Sequence, residues 1–408
     1  MKLNIRNMLL PALLAASVVV NLFSVTALVY LKVPGVHRAF LPYYKTIKNA
    51  VFGSHSYSNS TSTRKRSPQM PYKPELRLSI INQLSLSDDF DIQDWKNQVL
   101  STLRNLIGLS DIIAPFSITK SEAEVNNKYV LQRMTMPSPL GYDNIVLYKL
   151  MPSRLPSDHA KPAVVLVIPG SGMKSVNGLL GRTVDYHRSA GIKLVTHGYA
   201  VYVVESFAVG ERAFDVGSLL DEGVNSPHAV GMYGIYSGEY LAKIFIADLL
   251  SVIEFIKTED DVNGDMLVTF GVSRGGFLSL LVAALSQDVK GAVIASGLVD
   301  PDRYIFNNFK QPIIPQEGRY FLRSDIAGTI APRPILLSYG TNRSLSRGDL
   351  AEYPGNIEEA QTSRTVNRVK YIYKLFNAGG SVSVSIHEGG HTWPEKDTFE
   401  FLRSVVGY

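Results

Sequence analysis

Cysteine is absent from all 408 positions. That absence removes disulfide scaffolds, thiolate metal sites and a cysteine nucleophile together. It also removes attachment to a membrane through an N-terminal cysteine. Histidine is scarce, with 8 residues, so imidazole chemistry has few candidates. Charged residues make up only 19% of the chain, and much of the net charge of +5 sits near the N-terminus, in Arg64-Lys65-Arg66 and the lysines before it. No basic stripe interleaved with aromatics appears, which argues against a nucleic-acid partner. What is plentiful is apolar: a hydrophobic content of 45% describes a globular chain with a sizeable core.

Met8 to Leu31 is an uncharged, mainly apolar run of about 24 residues, where a helical crossing of a bilayer needs about 20. The expectation is a single-pass membrane anchor within residues 1–32. The alternative is a cleaved signal peptide, with Lys2 and Arg6 as its basic start and Val25-Thr26-Ala27 as its small-residue cleavage site. Lys32, Arg38, Lys45 and Lys48 after the span favour a cytoplasmic body, whereas a very short tail before a single span favours export. An extracytoplasmic, periplasmic main domain is expected. Residues 33–75 read as a linker, because Gly53 to Tyr72 is rich in Ser, Thr, Lys and Arg and nearly free of aliphatic residues. Asn59-Ser60-Thr61 and Asn342-Arg343-Ser344 fit an N-glycosylation pattern that matters only in a secreted eukaryotic setting.

Residues 76–128 form an N-terminal helical extension in this reading. From Asp94 to Gly108, Trp95, Val99, Leu100, Leu103, Leu106 and Ile107 recur at helical spacing and predict an amphipathic helix packed on the main body. The main domain spans 129–408. Apolar runs at Ala163–Ile168, Ala200–Val204, Met266–Phe270, Ala292–Ala295, Ile335–Leu337 and Val382–Ile386 alternate with helical stretches such as Tyr240 to Lys257 and Thr365 to Phe376. Strands that are apolar throughout must be buried on both faces, so the fold class is α/β, with a mainly parallel, doubly wound sheet. Such sheets carry their chemistry in the loops at the carboxyl ends of the strands.

Thr269-Phe270-Gly271-Val272-Ser273-Arg274-Gly275-Gly276 sets a serine between glycines, after a buried strand and before an apolar helical run. A sharp strand-to-helix turn of this kind exposes the hydroxyl to a base and aims backbone N–H groups at a developing oxyanion. Ser273 is the candidate nucleophile. The N–H of Arg274, with one from Ser171 or Gly172 in the glycine-rich turn after the Ala163–Ile168 strand, makes the candidate oxyanion hole. Gly170-Ser171-Gly172 lacks the further glycine and the lysine-plus-hydroxyl ending of a nucleotide loop.

The base should follow the last strand, and His391 does. His387, nearer the strand, reads as structural. His387, Glu388 and His391 superficially resemble a zinc helix, but Gly389-Gly390 works against a helix, so no metal is expected. His187, His197 and His228 occupy loop or helix positions without an assignable partner. The triad acid is left open: Asp349 is the first candidate, in the loop after the Ile335–Leu337 strand, followed by Asp300 and Glu352.

These landmarks, together with Gly198 to Glu205, Gly210-Glu211-Arg212 and Asp248, resemble the α/β-hydrolase superfamily, and within it the dienelactone-hydrolase-like and acetyl-xylan-esterase-like serine esterases. The resemblance implies a serine acylated by an ester, a histidine that relays protons, and no cofactor. Two departures stand out. Dienelactone hydrolases proper carry cysteine at the elbow, and the position of the family's aspartate falls near Arg343 here. A carboxylic-ester hydrolase for small acyl esters of small-molecule or carbohydrate alcohols is the expected function. The alternatives are a serine peptidase of the same fold and a catalytically inactive scaffold.

Overall fold

Near-continuous Val/Ile/Leu runs cannot face water on either side, and they form the middle of the sheet. The computed structural model describes residues 91–109, 117–155, 160–214, 226–298, 312–341 and 359–407. Its strands are β1 (Thr119–Val125), β2 (Tyr129–Pro137), β3 (Asn144–Pro152), β4 (Ala163–Ile168), β5 (Ala200–Val204), β6 (Asn263–Val272), β7 (Val289–Ala295), β8 (Ile335–Gly340) and β9 (Val382–His387). They hydrogen-bond in the order β1-β2-β3-β5-β4-β6-β7-β8-β9. From β5 to β9 along that order every pair is parallel, and β1, β2, β3 and β5 pair antiparallel. The expected runs Ala163–Ile168 and Ala200–Val204 coincide with β4 and β5.

The helices are α1 (Ile92–Ile107), α2 (Ser175–Leu179), α3 (Ala190–Thr196), α4 (Ser226–Ser237), α5 (Leu241–Thr258), α6 (Arg274–Leu285), α7 (Glu317–Tyr320), α8 (Arg323–Gly328), α9 (Glu359–Leu375) and α10 (Glu395–Val406). Strand side chains alternate between two cores. Val164, Leu166 and Ile168 of β4 join residues of α1, α5, α6, α8 and α9. Val165 and Val167 join those of α2, α3 and α10 on the other face.

The expected amphipathic helix is α1. Asp91 caps it by accepting the N–H groups of Gln93 and Asp94 at 2.6 and 3.1 Å, and Gly108 ends it with φ 72°. Trp95, Val99, Leu103 and Ile107, one per turn, are buried. The described part of 76–128 also supplies β1, an edge strand exposed along its whole length. Met8 to Leu31 and the linker lie outside the described residues. Among the described residues no helix is long and apolar enough to cross a membrane.

Candidate active site

The elbow is built from close approaches that only glycine permits. A Cβ on Gly271 would overlap the backbone of Gly275, and one on Gly275 would overlap the Ile168 carbonyl at the end of β4. Gly276 and Gly297 meet in the same way beside the end of β7. With β4, β6 and α6 drawn together, Ser273 takes φ 62° and ψ −125°, a conformation that costs a non-glycine residue about 1–3 kcal/mol. Its N–H donates to Ala295 O at 2.8 Å, and its carbonyl receives the Phe277 N–H of α6. The side chain is half-buried at the N-terminus of α6, where the helix field favours negative charge.

The turn after β4 lies against the elbow. Arg274, fully buried, donates from Nη2 to Gly170 O at 2.7 Å and to Ser206 Oγ at 3.0 Å, and its guanidinium sits over the Phe245 ring. Burial draws its pKa down to about 10, so it remains charged at neutral pH. Ser175 Oγ lies between the carbonyls of Gly170, at 3.1 Å, and Gly172, which is nearer, and its single proton serves one of them at a time. Ser171 and Gly172 follow directly and are half-buried.

His391 lies beyond β9 in the turn 388–391, where Gly389 has φ 137°. The turn is not helical, so His387 and His391 do not share a helix face. Among the described residues no group of three or more His, Cys, Asp or Glu side chains could hold a metal ion. The loop folds back toward the elbow. Trp393 meets Phe270 of β6 edge-on at 5.4 Å, and its indole N–H donates to His187 O at 2.8 Å. Thr392 Oγ1 donates to Tyr186 O at 2.7 Å, and the Tyr186 ring lies 5.5 Å from that of His391. Burial pulls His391 down to about pKa 4, and nearby His187 pushes the same way. His387 ends β9, its ring nitrogens without a hydrogen-bond partner, and its pKa is lowered by burial and then by Arg188.

Asp349, Asp300 and Glu352 lie outside the described residues. Sequence reasoning left His187 unassigned, yet it is fully buried and bonded on both ring nitrogens, to Gly170 N–H at 3.0 Å and to Asp185 at 2.8 Å. The available signal was Asp185-x-His187 in a loop soon after a glycine-rich turn. His197 stacks on Phe399 at 3.9 Å, a packing role.

Glu205, just after β5, is also buried. It faces a cavity of about 10 Å³, space for one water. Burial pushes its pKa up to about 7, opposed by the Glu211 N–H bond and by Arg212 and Arg274. The native state therefore keeps a proton that the unfolded chain releases near pH 4.5, and stability is lost as pH rises through 7. Glu205→Gln keeps the acceptor without the charge. Its Tm should exceed the wild type's by an amount that grows between pH 5 and 8, and a pH-independent difference in thermal scans would refute this.

A mainly parallel sheet, an elbow serine at the end of a central strand and a histidine loop after the last strand define an α/β hydrolase. The chain belongs to the Abhydrolase family, whose model matches residues 72–368. The hydrolase YtaP of Bacillus subtilis (strain 168) is 26% identical over 163 residues, 38% of this chain and 50% of that protein, so the match spans half the length of that relative. Among solved structures, a Bacteroides fragilis NCTC 9343 protein assigned as an acetyl xylan esterase has a TM-score of 0.59 at 19% identity, covering 86% of this chain and 92% of its own. A glucuronoyl esterase from Solibacter usitatus has a TM-score of 0.52 at 15% identity, covering 78% of this chain and 95% of its own. At these identities the similarity is one of fold.

Proposed function

We propose that this chain is a serine carboxylic-ester hydrolase acting on an acetyl or similarly small acyl ester, with a carbohydrate or small-molecule alcohol as leaving group. The observation that carries the reading is the backbone of Ser273, held at positive φ between β6 and the first turn of α6. Strain of that kind persists where it serves a function. In the proposed reaction Ser273 Oγ bonds to the ester carbonyl carbon while its proton passes to His391. The carbonyl oxygen becomes an oxyanion facing the N–H of Arg274 and that of Ser171 or Gly172. Collapse breaks the bond to the alcohol oxygen, which leaves with the proton from His391. Water, deprotonated by the same imidazole, then releases the acid and restores the serine. No step needs a cofactor.

The carbohydrate preference draws on the names of the structural neighbours, one described as an acetyl xylan esterase and one as a glucuronoyl esterase. We further propose that Met8 to Leu31 anchors the chain in a membrane, with the catalytic body on the extracytoplasmic side. The reading is tested on the full chain by labelling with a fluorophosphonate and by turnover of short and long p-nitrophenyl esters and acetylated sugars. Failure of both would leave a scaffold.

The acid that orients His391 is assigned by substitution. One of Asp349→Asn, Asp300→Asn and Glu352→Gln, with Asp349 favoured, should lower kcat at least about a hundredfold without unfolding the chain. Loss of this group costs about 10⁴ in the serine-protease template. Three variants all near wild type would mean a Ser-His dyad or a different acid.

A further inference from the structure

Beside the proposed triad lies a second carboxylate–imidazole couple, and its geometry addresses the oxyanion turn. Asp185, Tyr186 and His187 sit between α2 and α3. Asp185 Oδ1 accepts the backbone N–H of His187 at 2.9 Å, and Oδ2 meets His187 Nδ1 at 2.8 Å. The carboxylate lies against the bare Cα of Gly178 in α2, where a Cβ would overlap it. On the far side of the ring, Gly170 N–H donates to Nε2 at 3.0 Å. An imidazole nitrogen can accept only with its lone pair free, so the proton resides on Nδ1, facing Asp185.

That tautomer has a consequence one residue further on. A trans peptide is planar, so its N–H points opposite to its carbonyl. Gly170 O is held by Arg274 Nη2 at 2.7 Å, and the Ser171 N–H is the other end of that same peptide. With the plane before Gly170 fixed by His187 and the plane after it fixed by Arg274, the direction of the Ser171 N–H is set. The same short segment holds the base loop, through Thr392 to Tyr186 O and Trp393 to His187 O.

We propose that Asp185 and His187 are positioning residues that lock one histidine tautomer so that the Ser171 N–H points at the ester oxyanion. The role rests on the esterase reading above. Asp185→Asn is the discriminating change, because it is nearly isosteric. Its amide oxygen takes over the bond from the His187 backbone N–H, so its NH₂ group faces Nδ1 and donates to it. The ring proton then moves to Nε2, where it confronts the Gly170 N–H, donor against donor.

The experiment compares full-length wild type, Asp185→Asn and His187→Gln, with kcat expressed per fluorophosphonate-titrated site. Asp185→Asn is expected to lower kcat about 10- to 100-fold, below the roughly 10²- to 10³-fold cost of deleting an oxyanion donor outright. KM should stay within about twofold. Affinity for a boronic acid, which mimics the tetrahedral intermediate, should fall with kcat. His187→Gln, whose amide oxygen can accept from Gly170, should retain more activity than Asp185→Asn. In ¹⁵N spectra of histidine-labelled protein, His187 should change from the Nδ1–H to the Nε2–H form in Asp185→Asn. Unchanged kcat and boronate affinity in Asp185→Asn, or a wild-type His187 protonated on Nε2, overturns the proposal. A wild type that neither labels nor turns over overturns the esterase reading instead, and the ¹⁵N spectra still decide whether the tautomer lock exists.

Discussion

Ser273→Ala should give a folded chain that neither hydrolyses esters nor reacts with a fluorophosphonate. Removing one member of a nucleophile–base unit typically costs about 10⁴- to 10⁶-fold, and the half-buried hydroxyl contributes little to packing. Ser273→Gly separates strain from chemistry. Glycine accepts φ 62° freely, so this variant should be equally inactive yet more stable than wild type by about 1 kcal/mol. That amount corresponds to roughly 2–4 °C in Tm for a domain of this size class. Calorimetry alongside an ester assay reads both effects. A well-folded Ser273→Ala retaining more than about a tenth of wild-type activity would exclude this serine from the mechanism.

The second large effect is expected at His391. His391→Ala should lower kcat about 10³-fold or more, with KM nearly constant, because the imidazole moves a proton in the transition state and contributes little to ground-state binding. His387→Ala should act mainly on stability. Burial holds His391 in its neutral, proton-accepting form at pH values where a free imidazole is already charged. The acid limb of kcat/KM should therefore fall below pH 6.5, toward 4. For the same reason the unfolded chain takes up a proton first as pH drops, so His391 contributes stability above pH 6.5 that is lost as pH falls toward 4. An acid limb at or above pH 6.5, or greater loss of turnover in His387→Ala at equal stability, would count against this assignment.

The parallel half of the sheet was legible because β4 to β8 carry runs that are apolar on both faces, whereas β9, at the edge, was marked by its alternating Val-Ser-Val-Ser-Ile. Burial dictated β4 through β8 to within a few residues. The antiparallel half was not. β1 reads Thr-Lys-Ser-Glu-Ala-Glu-Val and is exposed along its length, so neither periodicity nor burial marks it, and only pairing with β2 makes it a strand. The glycines of the elbow were legible as a pattern, although the reason for each became clear only from what its missing side chain would strike. His187 was opaque for a different reason. Its role depends on the carbonyls and amides around it, on segments far apart in the chain, and nothing in the residue type of Gly170, Thr392 or Trp393 announces such a bond. The acid candidates lie outside the described residues, in stretches where the sequence offers several carboxylates at similar remove.

The packing of Gly275 against the Ile168 carbonyl bears on how such a protein could change its diet. Where the proposed nucleophile and the proposed oxyanion turn are separated by less than a methyl group's width at their base, their spacing is set by covalent bond lengths and contact radii. Insertions elsewhere do not alter it. On the proposed reading, divergence of substrate would fall on the connections that follow the strand ends, which can be lengthened, shortened or exchanged while the geometry beneath them stays constant. Selection on specificity and selection on turnover act on different parts of the same chain.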